Sequence, residues 1–570
     1  MRFKHISFIL LPLFFLLSCQ SEEATIENPT AKGGKRYGGT FKFMSVEKIR
    51  SLYPIFSGDV YTMRVISQLF DPLLTIDPKT GKACPAIAES FKVNDDATVY
   101  TFKIRKGVKF HEDPCFKGKT KEVTAHDVKF SLEIACSALN KNKVYFLLGS
   151  RIEGVDSFHE KSKNTIPKSG VSGIQVLDDY TIQIRLKNSF SGFEKVLTHT
   201  SLGITSKEAY KMYGKAIGKH PVGTGPFSLK SFDKDAIVLK RNPYYWRKDD
   251  LGNQLPFLSE VVMKYAKNKR SALLAFGKAD IDIALELPIE EIDHILGSFK
   301  DAQNGKNIVH KVVSEKSMST MYVALANQSD EFKDRRVRRA FNMAINREEI
   351  IDLDLQGEGW AVANGFLPEM EGYPKGDVIG HQHNLEEARE LMAQAGYPDG
   401  ENFPTVDFYV NSIKGSTGHK TCMAIARQIK KNLNVNLNIV LCTIEERERA
   451  IVSGKAKIWR SGWIADYPSP ENFLTLFYSK HLNDNASTVN AFKFKNTEYD
   501  SIFERALLEN DSDQRMSLFA QCDQLIIDEG AVIPVLTNDH IVMINARVRD
   551  FQVSSMESLN LTNVYIKENK

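Results

Sequence analysis

Between residues 406 and 463 the chain repeats one pattern that few folds accept. A β-rich run at 406–410 is followed by a helical run at 420–433, a strand at 435–441, a helix at 445–452 and a strand at 457–463. Strands separated by helix-length amphipathic runs point to an α/β layer with helices laid over a sheet. Ligands of open α/β sheets gather near strand ends. The last of these strands runs into residues 459–474, W-R-S-G-W-I-A-D-Y-P-S-P-E-N-F-L.

That ending carries unusual chemistry. Pro468 and Pro470 exclude a helix interior or a central strand, so the backbone leaves regular structure after Ile464. One carboxylate, Asp466, remains between aromatic residues. Two readings are open. Asp466 meets the cationic end of a ligand, or it caps a segment beginning at Glu471.

The chain has 570 residues, too long for one simple domain. A formal charge of +4 is too small and too scattered for nucleic acid to be the main partner. Arg335, Arg336, Arg338 and Arg339 do cluster, but they share a helix whose other face carries Val337, Ala340, Phe341, Ala344 and Ile345. The basic residues therefore read as a solvated helix face.

The N-terminus reads as an address. Arg2 and Lys4 precede an apolar run from Ile6 to Leu17 that is too short to span a bilayer. It ends in Leu16-Leu17-Ser18-Cys19, which resembles a bacterial lipobox. The resemblance implies a lipoprotein signal peptide over 1–18, cleavage before Cys19, and a lipidated Cys19 holding the protein to a membrane. Residues 19–36 are polar and read as a flexible tether. Cys84, Cys115, Cys136, Cys422, Cys442 and Cys522 lack the close paired spacing of a zinc site. His111, Glu112 and Asp113 are adjacent, cannot easily converge on one ion, and read as a polar surface turn.

Elsewhere, Val99, Tyr100, Phe102 and Ile104 mark a half-buried strand, and Thr124 caps a helix over 125–134. Ile174 and Val176, with Tyr180, Ile182, Ile184 and Leu186, form a hairpin-like pair around Asp178-Asp179. Asn384 and Glu387 make a capping-box pattern.

Several stretches occur together in a fixed order: Y-T-F-K-I-R-K-G-V-K from Tyr100, V-T-A-H-D-V-K-F from Val123, G-T-G-P-F from Gly223, R-N-P-Y-Y-W from Arg241, V-R-R-A-F-N-M-A-I-N-R from Val337, and Gly462 to Phe473. In this order they resemble the family-5 extracytoplasmic solute-binding proteins, the oligopeptide- and dipeptide-binding receptors of ABC importers. The resemblance implies a two-lobed, periplasmic-binding-protein-like (type 2) α/β fold with an extra subdomain and a hinged ligand cleft. The expected division is lobe I at 37–58, 172–285 and 529–570, an inserted subdomain at 59–171, and lobe II at 286–528.

By the same resemblance, Asp466 pairs with a peptide α-ammonium, Trp463 walls the cleft, and backbone groups of Gly462 and Ile464 bond the peptide main chain. Val60 and Tyr145 correspond to peptide contacts from the other side. The long segment between Phe110 and Val123, and Pro468-Ser469-Pro470, depart from the family pattern.

The function expected is a lipid-anchored, monomeric receptor on the periplasmic side of the cell membrane. It captures peptides and hands them to an ABC permease with its ATPase subunits, without cofactor or metal. The same fold could hold a metal chelate, a sugar or another cationic solute, or serve a ligand-sensing lipoprotein. An enzyme is disfavoured, because no G-x-S-x-G, H-E-x-x-H or G-x-x-x-x-G-K-[ST] motif occurs.

Overall fold

A computed structural model of the chain describes residues 30–567, apart from 79, 140–141, 288–309, 363 and 484–488. The expected signal peptide and Cys19 lie outside the described residues. Among those described, no helix is long and apolar enough to cross a membrane.

The first lobe is built on a four-stranded sheet. Thr40–Ser45 runs parallel to Glu260–Tyr265, which pairs antiparallel with Ala236–Arg241, and that with Phe227–Phe232. Alternation buries Phe41 and Phe43 beside Leu239 and Val261. The helix Val60–Leu69 closes this core with Val65, Ile66 and Leu69, and Asp59 caps it by accepting from the Thr62 amide.

A second four-stranded sheet has the order Ala88–Val93, Val99–Ile104, Thr181–Arg185, Ile174–Asp178. It carries the helix Ala125–Ala135, whose Thr124–Asp127 capping box is formed. This corrects the division expected at 59–171. The helix Val60–Leu69 belongs to the first core, and the hairpin beyond 172 completes the second sheet. Alternation gave that hairpin one apolar face; pairing with Val99–Ile104 decided which core receives it.

The second lobe holds a six-stranded sheet: Trp360–Ala361, Val532–Thr537, Ser319–Leu325, Ile458–Ile464, Val406–Val410, Leu437–Leu441. Helices Arg335–Met343, Leu385–Gln394 and Thr417–Leu433 cover it. The alternation read between 406 and 463 is present, and Asn384 accepts from the Glu387 amide as expected. One basic residue departs from the solvated-face reading. Arg338 is 5% exposed and donates to the carbonyls of Glu529, Phe332 and Lys333. Burial lowers its pKa to about 10.

The lobes are joined by two adjacent strands. His310–Lys316 and Asp539–Asn545 pair with each other in a three-stranded sheet that packs with the first lobe. Each is continuous with a strand of the six-stranded sheet, Ser319–Leu325 and Val532–Thr537. At the crossing the Ser317 amide donates to the Asn538 carbonyl, 3.2 Å. The return expected at 529 therefore falls at Asn538. The helix end at Asp528 looked like a boundary, but the wholly buried strand Val532–Thr537 still belongs to the second lobe.

Candidate functional site

Between the lobes lies a cleft of about 2030 Å³, walled by residues of both. It is closed over by contacts that cross it. Lys195 donates to the Pro468 carbonyl at 2.9 Å, Lys143 pairs with Glu448 at 3.5 Å, Arg50 with Glu445, and Arg151 with Glu471.

The strand Ile458–Ile464 forms the floor. On one side it pairs along its whole length with Ser319–Leu325. On the other it pairs with Val406–Val410 only at Ile458 and Trp459. From Arg460 to Ile464 that edge has no strand neighbour among the described residues and faces the cleft. The Ala465 amide donates to the Met318 carbonyl, 2.8 Å, which fixes the phase of the antiparallel ladder. Residues 463 and 461 then bond inward, while Arg460, Gly462 and Ile464 turn N–H and C=O toward the open edge. Gly462 presents no side chain there, so another backbone can approach closely.

At the end of this edge stands Asp466, 13% exposed. Asn472, wholly buried, organises it: the Asn472 side-chain carbonyl accepts from the Asp466 amide (3.1 Å) and from Trp463 Nε1 (2.9 Å), and its Nδ2 donates to Asp466 Oδ2 (3.2 Å). From the first lobe, His199 places Nε2 3.3 Å from Asp466 Oδ1. His199 Nδ1 accepts from the Ser201 amide, so the ring's proton sits on Nε2 and is donated to Asp466. A carboxylate has about four acceptor positions. Two are used here, and the others remain for a cation in the cleft. Asp466 does not cap the turn Glu471–Leu474, whose N-cap is Pro470 with no side-chain bond.

Beneath this end Glu471, 0% exposed, is held by Arg151 and accepts from Tyr467 at 2.6 Å. Burial and then the Glu471 charge push the Tyr467 pKa well above its ordinary value, so the phenol remains a donor.

At the opposite end Arg460 and Arg447 line the cleft. Arg447 Nη1 donates to Asn411 Oδ1 (2.8 Å) and to the Arg460 carbonyl (3.2 Å). No carboxylate pairs with either guanidinium among the described residues, and the buried Nε of each has no acceptor.

Of the residues singled out from sequence, Asp466, Trp463, Gly462, Ile464 and Val60 all line this one cleft. Tyr145 is a correction. Its ring stacks on His159 (centroids 3.7 Å) and its hydroxyl donates to Asp156, while its neighbours Val144 and Phe146 line the cleft instead. The short helix Tyr145–Leu148 turns successive side chains to different faces. His199, Asn472, Arg447 and Arg460 were missed. Only Asn472 carried a local signal, standing six residues after Asp466; the others meet the site through tertiary packing.

His111, Glu112 and Asp113 diverge. His111 is buried against Gly223 and Gly225, Glu112 accepts from Tyr244, and Asp113 accepts from Tyr213. Among the described residues, no group of three or more His, Cys, Asp and Glu is placed to hold a metal ion.

With this geometry in hand, comparison with known proteins is informative. The sequence profile of the bacterial extracellular solute-binding proteins, family 5 (middle), matches residues 82–485. The glutathione-binding protein GsiB of Salmonella choleraesuis (strain SC-B67) is 26% identical over 497 residues, 85% of this chain and 86% of that protein. Among solved structures, the periplasmic binding protein DppA of Helicobacter pylori, in complex with the peptide STSA, superposes with a TM-score of 0.79. The two are 23% identical, over 94% of this chain and 99% of that one. The binding protein AgaA of A. tumefaciens R10, in complex with agropinic acid, gives 0.77 at 20% identity, over 93% and 99%. At these identities the structural likeness speaks for a shared fold: two lobes around a cleft.

Proposed function

The chain belongs to the family-5 bacterial extracellular solute-binding proteins, and from that premise we propose that it captures short peptides in the closed cleft and delivers them to an ABC permease. The observation that carries this reading is the open strand edge from Arg460 to Ile464 ending at the Asp466 carboxylate. A peptide added along that edge satisfies main-chain groups whatever its side chains, and its α-ammonium reaches Asp466. Gly462 and Ile464 supply the backbone groups, Trp463 a wall, and Val60 a contact from the first lobe. Only the closed form touches ligand with both lobes, so ligand favours closure. The DppA complex supports the peptide reading.

A non-peptide solute is the second reading, supported by the AgaA complex with agropinic acid. Mass spectrometry of ligand retained by the purified protein separates the two. Co-purified peptides are the expected result, and a single non-peptide species overturns it. In calorimetry, free-amine peptides should bind and their N-acetylated forms should not; equal binding removes the role given to Asp466.

The protein is further proposed to be a monomer held to the outer side of the cell membrane by lipidated Cys19. The sequence Leu16-Leu17-Ser18-Cys19 supports this. Cys19→Ser should move the protein from the membrane to the soluble fraction, and unchanged membrane association overturns the anchor.

A further inference from the structure

The far end of the cleft gathers more positive charge than a single terminal carboxylate requires. Arg460 lies against the first turn of the helix Thr417–Leu433: a Cβ at Gly418 would stand 2.6 Å from Arg460 Nε and 2.6 Å from Ser412 Oγ. The glycine is what admits the guanidinium there. The first N–H groups of a helix have no partner within it and carry the positive end of its dipole. Ser416, the N-cap, does not relieve this, because its hydroxyl donates to the Ile413 carbonyl (2.7 Å) and makes no capping bond.

Arg447 approaches from the helix Ile444–Val452. Burial lowers its pKa, and the charge of Arg460 acts in the same direction against the opposing Tyr322 and Glu448. The nearby acids are engaged elsewhere: Glu448 with Lys143, Glu445 with Arg50, and Glu446 in the cap of Thr443. Two guanidinium groups and a helix N-terminus thus converge on the cleft with donors unused, and among the described residues no carboxylate pairs with either guanidinium. A ligand anion at this end would offset the repulsion between the guanidinium groups and take up their unused donors.

Resting on the peptide reading above, which puts the ligand's terminal carboxylate at Arg460, we propose that the second guanidinium there, that of Arg447, selects peptides whose last residue is acidic. Such a residue brings its side-chain carboxylate beside the terminal one, and each guanidinium then meets its own anion in a paired, fork-like geometry. The strand sets the ligand's length. Four steps of about 3.3 Å separate Arg460 from Ile464, about 13 Å, and Asp466 lies two residues beyond. An extended peptide of about four or five residues spans from the ammonium site to the arginines.

The test is calorimetry with two tetrapeptides, three alanines followed by Glu or by Gln, which have the same shape and differ by one charge. Wild-type protein should bind the Glu peptide at least about tenfold more tightly. In Arg447→Gln that ratio should fall to about twofold or less, with Arg447→Lys intermediate because lysine keeps the charge and loses the fork. A wild-type ratio near one overturns the proposal while leaving the peptide reading standing, as does an Arg447→Gln ratio equal to wild type. Failure of both peptides to bind overturns both readings. The wild-type ratio needs no variant and decides the selectivity even if Arg447→Gln folds poorly.

Discussion

The two ends of the cleft are built on opposite principles. At the Asp466 end the central groups are tied together: Asn472 joins the Asp466 amide, the Asp466 carboxylate and the Trp463 indole, and His199 reaches across from the other lobe. At the Arg460 end, guanidinium donors and a helix N-terminus face the cleft, and among the described residues no carboxylate pairs with either guanidinium. The Asn472 bonds all lie within the second lobe, so a ligand adds to a network that does not wait for the lobes to close. The Arg460 end is electrostatically incomplete, so ligand there relieves a cost already present in the folded chain. On the proposed reading, one end fixes the ligand's position and the other selects its charge.

The largest effect should come from undermining the satisfied end. Arg151→Ala leaves Glu471 buried without its cation, which costs about 3–5 kcal/mol. This should appear as a large fall in the melting temperature of the ligand-bound protein. A change of under 1 kcal/mol would mean that Glu471 is neutral or solvated and that the end is less tightly built than its geometry implies.

Asp466→Ala should follow. Losing the one carboxylate that meets the ligand ammonium costs about 2–5 kcal/mol of affinity for free-amine peptides, measured by calorimetry. Undiminished binding would remove the contrast between the ends altogether.

Acid provides a third measurement. Burial holds His111 and His481 neutral, with pKa values of about 4, below the 6.5 of an exposed histidine. Between pH 6.5 and 4 the unfolded chain binds more protons than the folded one. Stability is therefore fully present above pH 6.5 and is lost as pH falls toward 4, by up to about 3 kcal/mol for each ring. Neither ring contacts Asp466 or the arginines, so Asp466→Ala and wild type should lose stability in parallel in denaturant titrations across this range. A slope confined to wild type would overturn the assignment of the acid loss to these two rings.

The smallest expected effect is that of Asn472→Ala, which leaves the Asp466 amide and Trp463 Nε1 without their common acceptor, at about 1–3 kcal/mol. Weakened peptide binding with little change in melting temperature would show that Asn472 acts by positioning Asp466. Unchanged affinity would show that the prolines alone hold that segment.

Much of this was legible beforehand, for a local reason. The alternation between 406 and 463, the caps at Thr124 and Asn384, and the isolation of Asp466 between aromatics and prolines depend on neighbours a few residues apart. Periodicities of two and 3.6 record them directly. The same periodicity misjudged Arg338, because four arginines on one helix look alike until Glu529 is brought to one of them.

The sequence by itself determined which segments are strands and helices, which face of each is apolar, and that one carboxylate closes the last strand. Tertiary structure alone decided which core receives the hairpin after residue 172, that the lobes part at Ser317 and Asn538, and that Tyr145 turns to His159. It also brought His199 to Asp466 and left Arg447 and Arg460 facing the cleft with no acid paired to either among the described residues. The physical reason is range. A pattern fixes the face an element presents, while its partner comes from a segment often hundreds of residues away, and only packing the whole chain selects which one.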